Sequence, residues 1–205
     1  MQVQPQANAT TLNQAAFDRW ESFCATPYGP MLLFLWAAAE AIFWPIFPDF
    51  LLLPMAVGGR RRFGRILGAA LLGSTVGGII IYLFAFLLPR AAESLVPHLP
   101  LVRGFMLQEA DLALAQQGVM AFWTQPLSGV SFRFYALLGG IRGLNPLEVI
   151  PVSFAARGLR MFVGSAAVAL LASRFPGFCR NAWIYCVLAY LLLTGYMWLA
   201  TQVIG

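Results

Sequence analysis

The sequence predicts an all-α integral membrane protein. Of its 205 residues, 60% are hydrophobic and only 10% are charged, and the mean hydropathy is +0.75. A soluble domain with this composition would aggregate. The apolar runs reach the ~20 residues that a helix needs to cross a ~30 Å hydrocarbon core, and they lack the alternation of barrel strands. We therefore expect transmembrane helices rather than a barrel.

The apolar runs divide residues 27–205 into the segments of a single membrane domain. Before it, residues 1–12 are expected to be disordered and 13–26 to form a short interfacial helix. The predicted segments are re-entrant 31–57, transmembrane 66–88, loop or interfacial 89–117, re-entrant 118–140, transmembrane 146–172 and transmembrane 182–204.

Two of these runs are interrupted at matching places. EAIFWPIFPDF contains Pro45 and Pro48, and TQPLSGVSF contains Pro126 and Gly129. In each run a Gly-Gly pair begins thirteen residues after the first proline, so the two segments look like repeats. Proline removes a backbone donor and clashes with the preceding turn. Paired broken helices are typical of inverted-repeat transport folds, although two kinked transmembrane helices with chance spacing are an alternative.

The arginine distribution favours two opposed re-entrant hairpins. With hairpins, seven arginines outside the apolar segments fall on one face and three on the other. If every segment crosses, the same arginines divide five and five, which the positive-inside rule does not predict. We expect a cytoplasmic amino terminus and an external carboxyl terminus. We attribute the net charge of +5 to the positive-inside rule rather than to affinity for nucleic acid.

Five charged residues lie away from the ends of the apolar segments: Glu40, Asp49, Arg133, Arg157 and Arg160. Each would cost about 2.5–3.5 kcal/mol if it faced lipid alone, so ion pairs or a wet cavity are expected. Opposed hairpins would bring Asp49 and Arg133 together near the bilayer midplane. Arg157 and Arg160 share one helix face, and their planar forks suit a phosphate or carboxylate. Fixed structural pairs, Glu40–Arg157 or Asp49–Arg133, are the alternative.

Proton exchange is a second expectation for this set of charges. Burial favours a neutral carboxyl group and a nearby arginine favours the carboxylate, so Glu40 or Asp49 is a candidate for binding and releasing a proton. Half-helices that begin after Pro48 and Gly129 would also point free N–H groups inward, which favours an anion.

Other residues give weaker signals. His98 is expected to be a loop histidine, because no Ser, Cys or metal-ligating partner lies near it in the sequence. Ser128 and Ser131 are expected to cap a half-helix, with ligand binding as the alternative.

No cofactor or metal site is expected. The three cysteines (Cys24, Cys179 and Cys186) show no CxxC spacing and are interpreted as small apolar residues.

The segment LLGSTVGGIII is typical of a helix face that packs through small residues.

Three motifs together resemble the DedA superfamily, also called the VTT or SNARE-associated domain family, and within it the small YqaA-like branch. They are EAIFWPIFPDFLLLPMAV, TQPLSGVSFRFYALLGG and FAARGLRMF, in this order over residues 17–175. The resemblance implies a bacterial inner-membrane protein with two opposed re-entrant hairpins, related to lipid scramblases and to carriers of undecaprenyl phosphate, and linked to the proton-motive force.

The resemblance also implies roles for particular residues. Glu40 and Asp49 match the acidic residues of the family's first hairpin, Arg133 the basic residue of the second, and Arg157 that of the following helix. The chain departs from better-studied members at Phe122-Trp123, where they carry a further arginine.

We therefore expect a proton-linked transporter, or a lipid flippase or scramblase, whose substrate is an anionic amphiphile such as a phospholipid or polyprenyl phosphate. The chain is small for a complete alternating-access machine, which favours a homodimer. An enzyme acting on lipid phosphates is less favoured, because no His, Cys or metal cluster accompanies the arginines. A non-catalytic scaffold or assembly protein is a third possibility.

Overall fold

The computed structural model describes residues 9–44, 46–56, 60–99, 104–128, 130–175, 188 and 191–192, and over these residues it contains helices and no strands. The α-helices are α1 (Ala9–Ala25), α2 (Tyr28–Ile42), α3 (Asp49–Met55), α4 (Arg60–Leu87), α5 (Pro89–Leu95), α6 (Gly104–Gln117), α7 (Ala121–Ser128), α8 (Phe132–Ile141) and α9 (Pro146–Arg174). Short 3-10 helices occupy Val96–His98 and Gly118–Met120. The predicted all-helical architecture is confirmed for this part of the chain.

Helices α4 and α9 are long and apolar enough to cross a membrane. The qualifying stretches are Arg62–Leu87 and Pro146–Leu171, with 26 residues each. At about 1.5 Å per residue this length exceeds a hydrocarbon core of about 30 Å. Both coincide with predicted transmembrane segments, whereas the third predicted segment, 182–204, lies almost wholly outside the described residues. The stretch 89–117, expected to be a loop or interfacial segment, contains α5 and α6.

The first predicted interruption separates α2 from α3. Helix α2 ends where Phe43 leaves helical geometry, with its amide donating to the Ala39 carbonyl at 2.8 Å. The indole of Trp36, on α2, donates to the Ile46 carbonyl at 3.2 Å and so holds the break against the helix. Pro48 immediately precedes α3, a position where its missing N–H costs nothing.

The second interruption, between α7 and α8, lies later than Pro126. Pro126 is inside α7, which continues to Ser128, so the prediction that this proline itself breaks the helix is wrong. Its ring removes a single hydrogen bond, and the helix tolerates that loss. The turn that follows is fixed by side chains: Gln125 Nε2 donates to the Val130 carbonyl at 2.7 Å, and Ser128 Oγ accepts from the Val130 amide at 3.2 Å. Pro45 and Gly129 lie outside the described residues.

Glycines allow α4 to lie directly against two other helices. A Cβ on Gly73 would be 2.1 Å from the Phe34 carbonyl oxygen, and one on Gly77 would be 2.3 Å from that of Ala38, both on α2. On α8, a Cβ on Gly140 would be 2.5 Å from the Tyr82 carbonyl oxygen. The small-residue packing face predicted on α4 is therefore confirmed, and α4 forms the centre of the bundle.

Helix α1 begins at Ala9, so the expectation of disorder over residues 1–12 is wrong for its last four positions. No proline or glycine interrupts the sequence from Ala9 to Ala25, and the helix continues through the polar residues. Near its end, Cys24 is buried beside Leu33 and Met55. Burial raises the pKa of the Cys24 thiol to about 11. Cys24 thus packs as the small apolar residue that was predicted.

Candidate functional site

The two helix interruptions meet at Arg133. This residue lies in the first turn of α8, is 2% exposed, and donates from Nη1 to the Phe43 carbonyl oxygen at 2.8 Å. Phe43 ends α2, where carbonyl groups lack partners within the helix. The positive charge after the second break therefore satisfies the backbone of the first.

A buried ion pair joins the same end of α2 to α9. Arg157 Nη2 donates to Glu40 Oε2 at 2.7 Å, and the two residues are 8% and 2% exposed. The Arg157 guanidinium also lies over the ring of Phe132, 4.2 Å from its centroid. This ring covers the arginine with an apolar surface that still attracts a cation.

A second ion pair holds the start of α3 to the same helix. Asp49 accepts a hydrogen bond from Arg160 Nη2, and both side chains are about 30% exposed. Asp49 is in the first turn of α3, where a carboxylate interacts favourably with the helix dipole. Both ends of the first break are therefore attached to α9, one turn of α9 apart.

All five charged residues singled out in the sequence thus lie around the two breaks. Arg157 and Arg160 share a face of α9, as their spacing predicts, and each binds one acid. Of the two fixed pairs considered from sequence, Glu40–Arg157 is present, and the ion pair that Asp49 makes is with Arg160. Three arginines surround two carboxylates, and the charge of Glu40 acts on Arg133 as well. The described set carries a net charge of about +1.

Sequence reasoning did not identify three neighbours of these charges. Phe132 covers Arg157, the Phe43 carbonyl accepts from Arg133, and Gln125 shapes the second break. Gln125 was detectable, since an amide within an apolar stretch needs a buried partner. The other two contacts have no sequence signal, because one uses an ordinary aromatic residue and the other uses backbone.

The weaker candidates remain apart from this set. His98 is exposed, with Nδ1 3.0 Å from the Ser94 carbonyl oxygen four residues earlier. Ser131 precedes α8 but makes no side-chain capping bond, whereas Ser128 accepts from a backbone amide in the turn. Within the described residues, no group of His, Cys, Asp or Glu side chains is arranged to hold a metal ion.

Fold and site together define a helical protein in which two helices are long and apolar enough to cross a membrane, with buried charges around two helix breaks. The chain is similar to an uncharacterized protein of Haemophilus influenzae (strain ATCC 51907 / DSM 11121 / KW20 / Rd). The two are 24% identical over 164 residues, which cover 75% of this chain and 83% of that protein. No family model and no solved structure matches the chain.

Proposed function

We propose that this protein is a carrier of anionic amphiphiles in the bacterial inner membrane, moving a phospholipid or polyprenyl phosphate with a link to the proton-motive force. The observation that carries the proposal is the burial of Glu40, Arg133 and Arg157 around two helix breaks. Charges within an apolar helical protein are costly and are usually kept for binding or transport. The resemblance to the DedA superfamily adds the substrate class.

The lengths of the broken helices support the hairpin arrangement that this proposal uses. Helix α8 has ten residues and α3 has seven, so they extend about 15 Å and 10 Å at 1.5 Å per residue. Neither length reaches across a hydrocarbon core of about 30 Å. We propose that the two broken segments enter from opposite faces, with the amino terminus in the cytoplasm.

The proposed cycle uses competition between carboxylate and substrate for the arginines. When Glu40 is ionised, it holds Arg157, and Asp49 holds Arg160. Protonation of either acid removes the attraction and releases an arginine that can bind a phosphate oxygen. Release of that proton on the other side restores the ion pair and expels the anion. Headgroup movement is thereby coupled to proton movement without any covalent step.

A scaffold function is the second candidate, and a specific observation favours it. Both acids are already paired with α9 arginines, as in a fixed structural connection. A scaffold would tolerate any substitution that leaves the protein folded. A carrier would lose its activity even when folding is intact.

The test uses purified protein in liposomes that contain a fluorescent phospholipid or a fluorescent polyprenyl phosphate. Transfer between leaflets is measured with and without a pH gradient for wild type, Asp49→Asn, Arg133→Ala and Arg133→Lys. We expect faster transfer with the gradient and a loss of about tenfold or more in each variant, since a charge-assisted hydrogen bond contributes roughly 1.5–3 kcal/mol.

Asp111→Asn is the matched control. It removes a carboxylate from an ion pair with Arg142 that is largely exposed, 2.7 Å between Nη2 and Oδ1, and it should transfer lipid as wild type does. Thermal stability is measured for every variant. Folded wild-type protein that moves neither lipid would exclude the carrier function and favour the scaffold.

A further inference from the structure

A narrow cleft runs between α4 and α9, with α7 and α8 behind it. Its enclosed part has room for about one water-sized atom, and the empty space counted out through the open mouth is about 330 Å³. Tyr82 lines the cleft, and the two long helices contribute four further side chains with polar groups: Ser74, Thr75, Ser153 and Arg157. The cleft therefore reaches the buried arginine from the side of the bundle.

Two of these groups have unmet hydrogen-bonding capacity. Within the described part of the chain, neither Ser74 Oγ nor Arg157 Nε has a hydrogen-bond partner, although Ser74 is 0% exposed and Arg157 is 8% exposed. By contrast, Thr75 donates to the Leu71 carbonyl at 2.7 Å and Ser153 to that of Ile150 at 3.0 Å. Buried polar groups are nearly always satisfied, so Ser74 Oγ and Arg157 Nε are two donors whose acceptor has to come from outside the described residues.

The antiparallel alignment of the two helices brings Ser74 and Arg157 to a similar level. The Leu71 side chain lies 3.4 Å from the position that a Cβ on Gly158 would take, and the Tyr82 hydroxyl donates to the Leu144 carbonyl. Ser74 comes one turn after Leu71, and Arg157 directly precedes Gly158. Both residues therefore line the same stretch of the cleft, and Arg157 Nε can only donate, so the ligand atom it needs is an acceptor.

The mouth of the cleft is apolar. Phe154 is 41% exposed at its edge, and Ile79 and Ile150 are half-buried beside it. The neighbouring exposed positions on α4, Val76 and Ile80, are also apolar. If α4 and α9 cross the bilayer, this opening faces hydrocarbon rather than water. A free anion has no favourable route through it, whereas a lipid can keep its chain there.

We propose that this cleft is a lateral headgroup site, in which a lipid phosphate oxygen accepts hydrogen bonds from Ser74 Oγ and Arg157 Nε while the acyl chain lies along Ile79 and Phe154. The inference rests on the proposed function and deepens it, since it names the path of entry and makes Ser74 a residue that selects phosphate-bearing lipids. Arg157 can keep its bond to Glu40 through Nη2 at this stage.

The test is photo-crosslinking of purified protein in maltoside micelles, which contain no phosphate. The probes are phosphatidic acid and diacylglycerol, each with a diazirine near the head end of one acyl chain, and adducts are mapped by peptide mass spectrometry. We expect phosphatidic acid to label residues 74–82 and 149–157 and diacylglycerol to label them much less.

Ser74→Ala should lower the phosphatidic acid adducts in these segments about 2- to 10-fold, the effect of one lost hydrogen bond. Ser165→Ala is the matched control, because Ser165 is equally buried but its hydroxyl already donates to the Met161 carbonyl. Its labelling should equal that of wild type.

Equal labelling by the two probes, or labelling unchanged in Ser74→Ala, would overturn the site and indicate that the two polar groups hold water.

The leaflet-transfer assay separates the headgroup site from the carrier function. Transfer without cleft adducts rejects the lateral site alone. Cleft adducts without transfer support the headgroup site and reject the carrier.

Discussion

Glu40 and Arg157 stabilise the protein only as a pair. Both are nearly fully buried, and each would be an uncompensated charge without the other. Removing one partner of such a pair typically costs about 3–5 kcal/mol, whereas replacing both with apolar residues is often neutral. The charge of Arg133 also acts on Glu40, which partly compensates for the loss of Arg157.

Arg157→Met is therefore expected to lower the free energy of unfolding by about 3 kcal/mol, the low end of this range. The double variant Glu40→Leu/Arg157→Met should recover most of that loss. Denaturant unfolding in micelles, followed by near-ultraviolet circular dichroism, measures both. Arg142→Met, which breaks the exposed pair with Asp111, should cost less than about 1 kcal/mol. A double variant that loses as much free energy of unfolding as Glu40→Leu and Arg157→Met lose together would contradict this account.

The sequence identifies these charges but not their partners. Glu40 stands out because an acid within an apolar run needs a partner, yet three arginines were available to it. Which of them it meets depends on the rotation of α2 against α9. The bond from Arg133 to the Phe43 carbonyl is still less predictable, because the acceptor is backbone and becomes available only where α2 ends.

At the scale of elements, the contact between α2 and α4 depends on two missing side chains. Gly73 and Gly77 allow the α2 carbonyl groups of Phe34 and Ala38 to touch the α4 backbone. Any side chain at these two positions must separate the helices. The same helix contains Gly68, where a Cβ would meet nothing within 4 Å, so the consequence of adding one methyl group can be compared within α4.

We expect Gly73→Ala and Gly77→Ala each to lower the free energy of unfolding by about 1–3 kcal/mol, through overpacking. Gly68→Ala should be neutral or should stabilise by up to about 1 kcal/mol, since alanine favours helix more than glycine does. Thermal unfolding of the three variants in one detergent gives the comparison. Equal effects at all three positions would show that helix propensity dominates and that the close contact does not matter.

Element boundaries were predictable where composition changes sharply. The predicted segment 146–172 agrees closely with α9, because Asn145 accepts from the Leu147 amide at 3.0 Å and begins the helix with a recognisable cap. The second break was predicted over Pro126 and Gly129, and the next helix does begin after Gly129, but Pro126 itself lies inside α7. One missing amide does not end a helix, and the bonds from Gln125 and to Ser128 that form the turn depend on folded geometry.

For the whole molecule, the hairpin arrangement predicts where each face of the bundle points. Arg65 lies in the second turn of α4 and Glu148 in the first turn of α9, and both are exposed. If both broken segments return to their own side, Arg65 is cytoplasmic and Glu148 is external. If every apolar segment crosses, the two residues are on the same side.

Arg65→Cys and Glu148→Cys, made in a background without the three native cysteines, test this with a membrane-impermeant maleimide on spheroplasts. We expect Glu148→Cys to react with intact spheroplasts and Arg65→Cys to react only after permeabilisation. Labelling of both without permeabilisation would reject the opposed hairpins. Expression of each variant is verified by labelling in detergent.

The contact of glycine with backbone along α2 and α4 also limits how the molecule can move. Carbonyl groups seated in the notches at Gly73 and Gly77 prevent α2 from sliding along α4 unless the two helices first separate. We therefore expect α2 and α4 to move as one unit, whereas the first break is connected both to α2 and, through Glu40 and Asp49, to α9. If the protein carries lipid as proposed, its alternating motion would run along the contact with α9, where the ion pairs and the cleft lie, and would require the ion pairs of Glu40 and Asp49 to open.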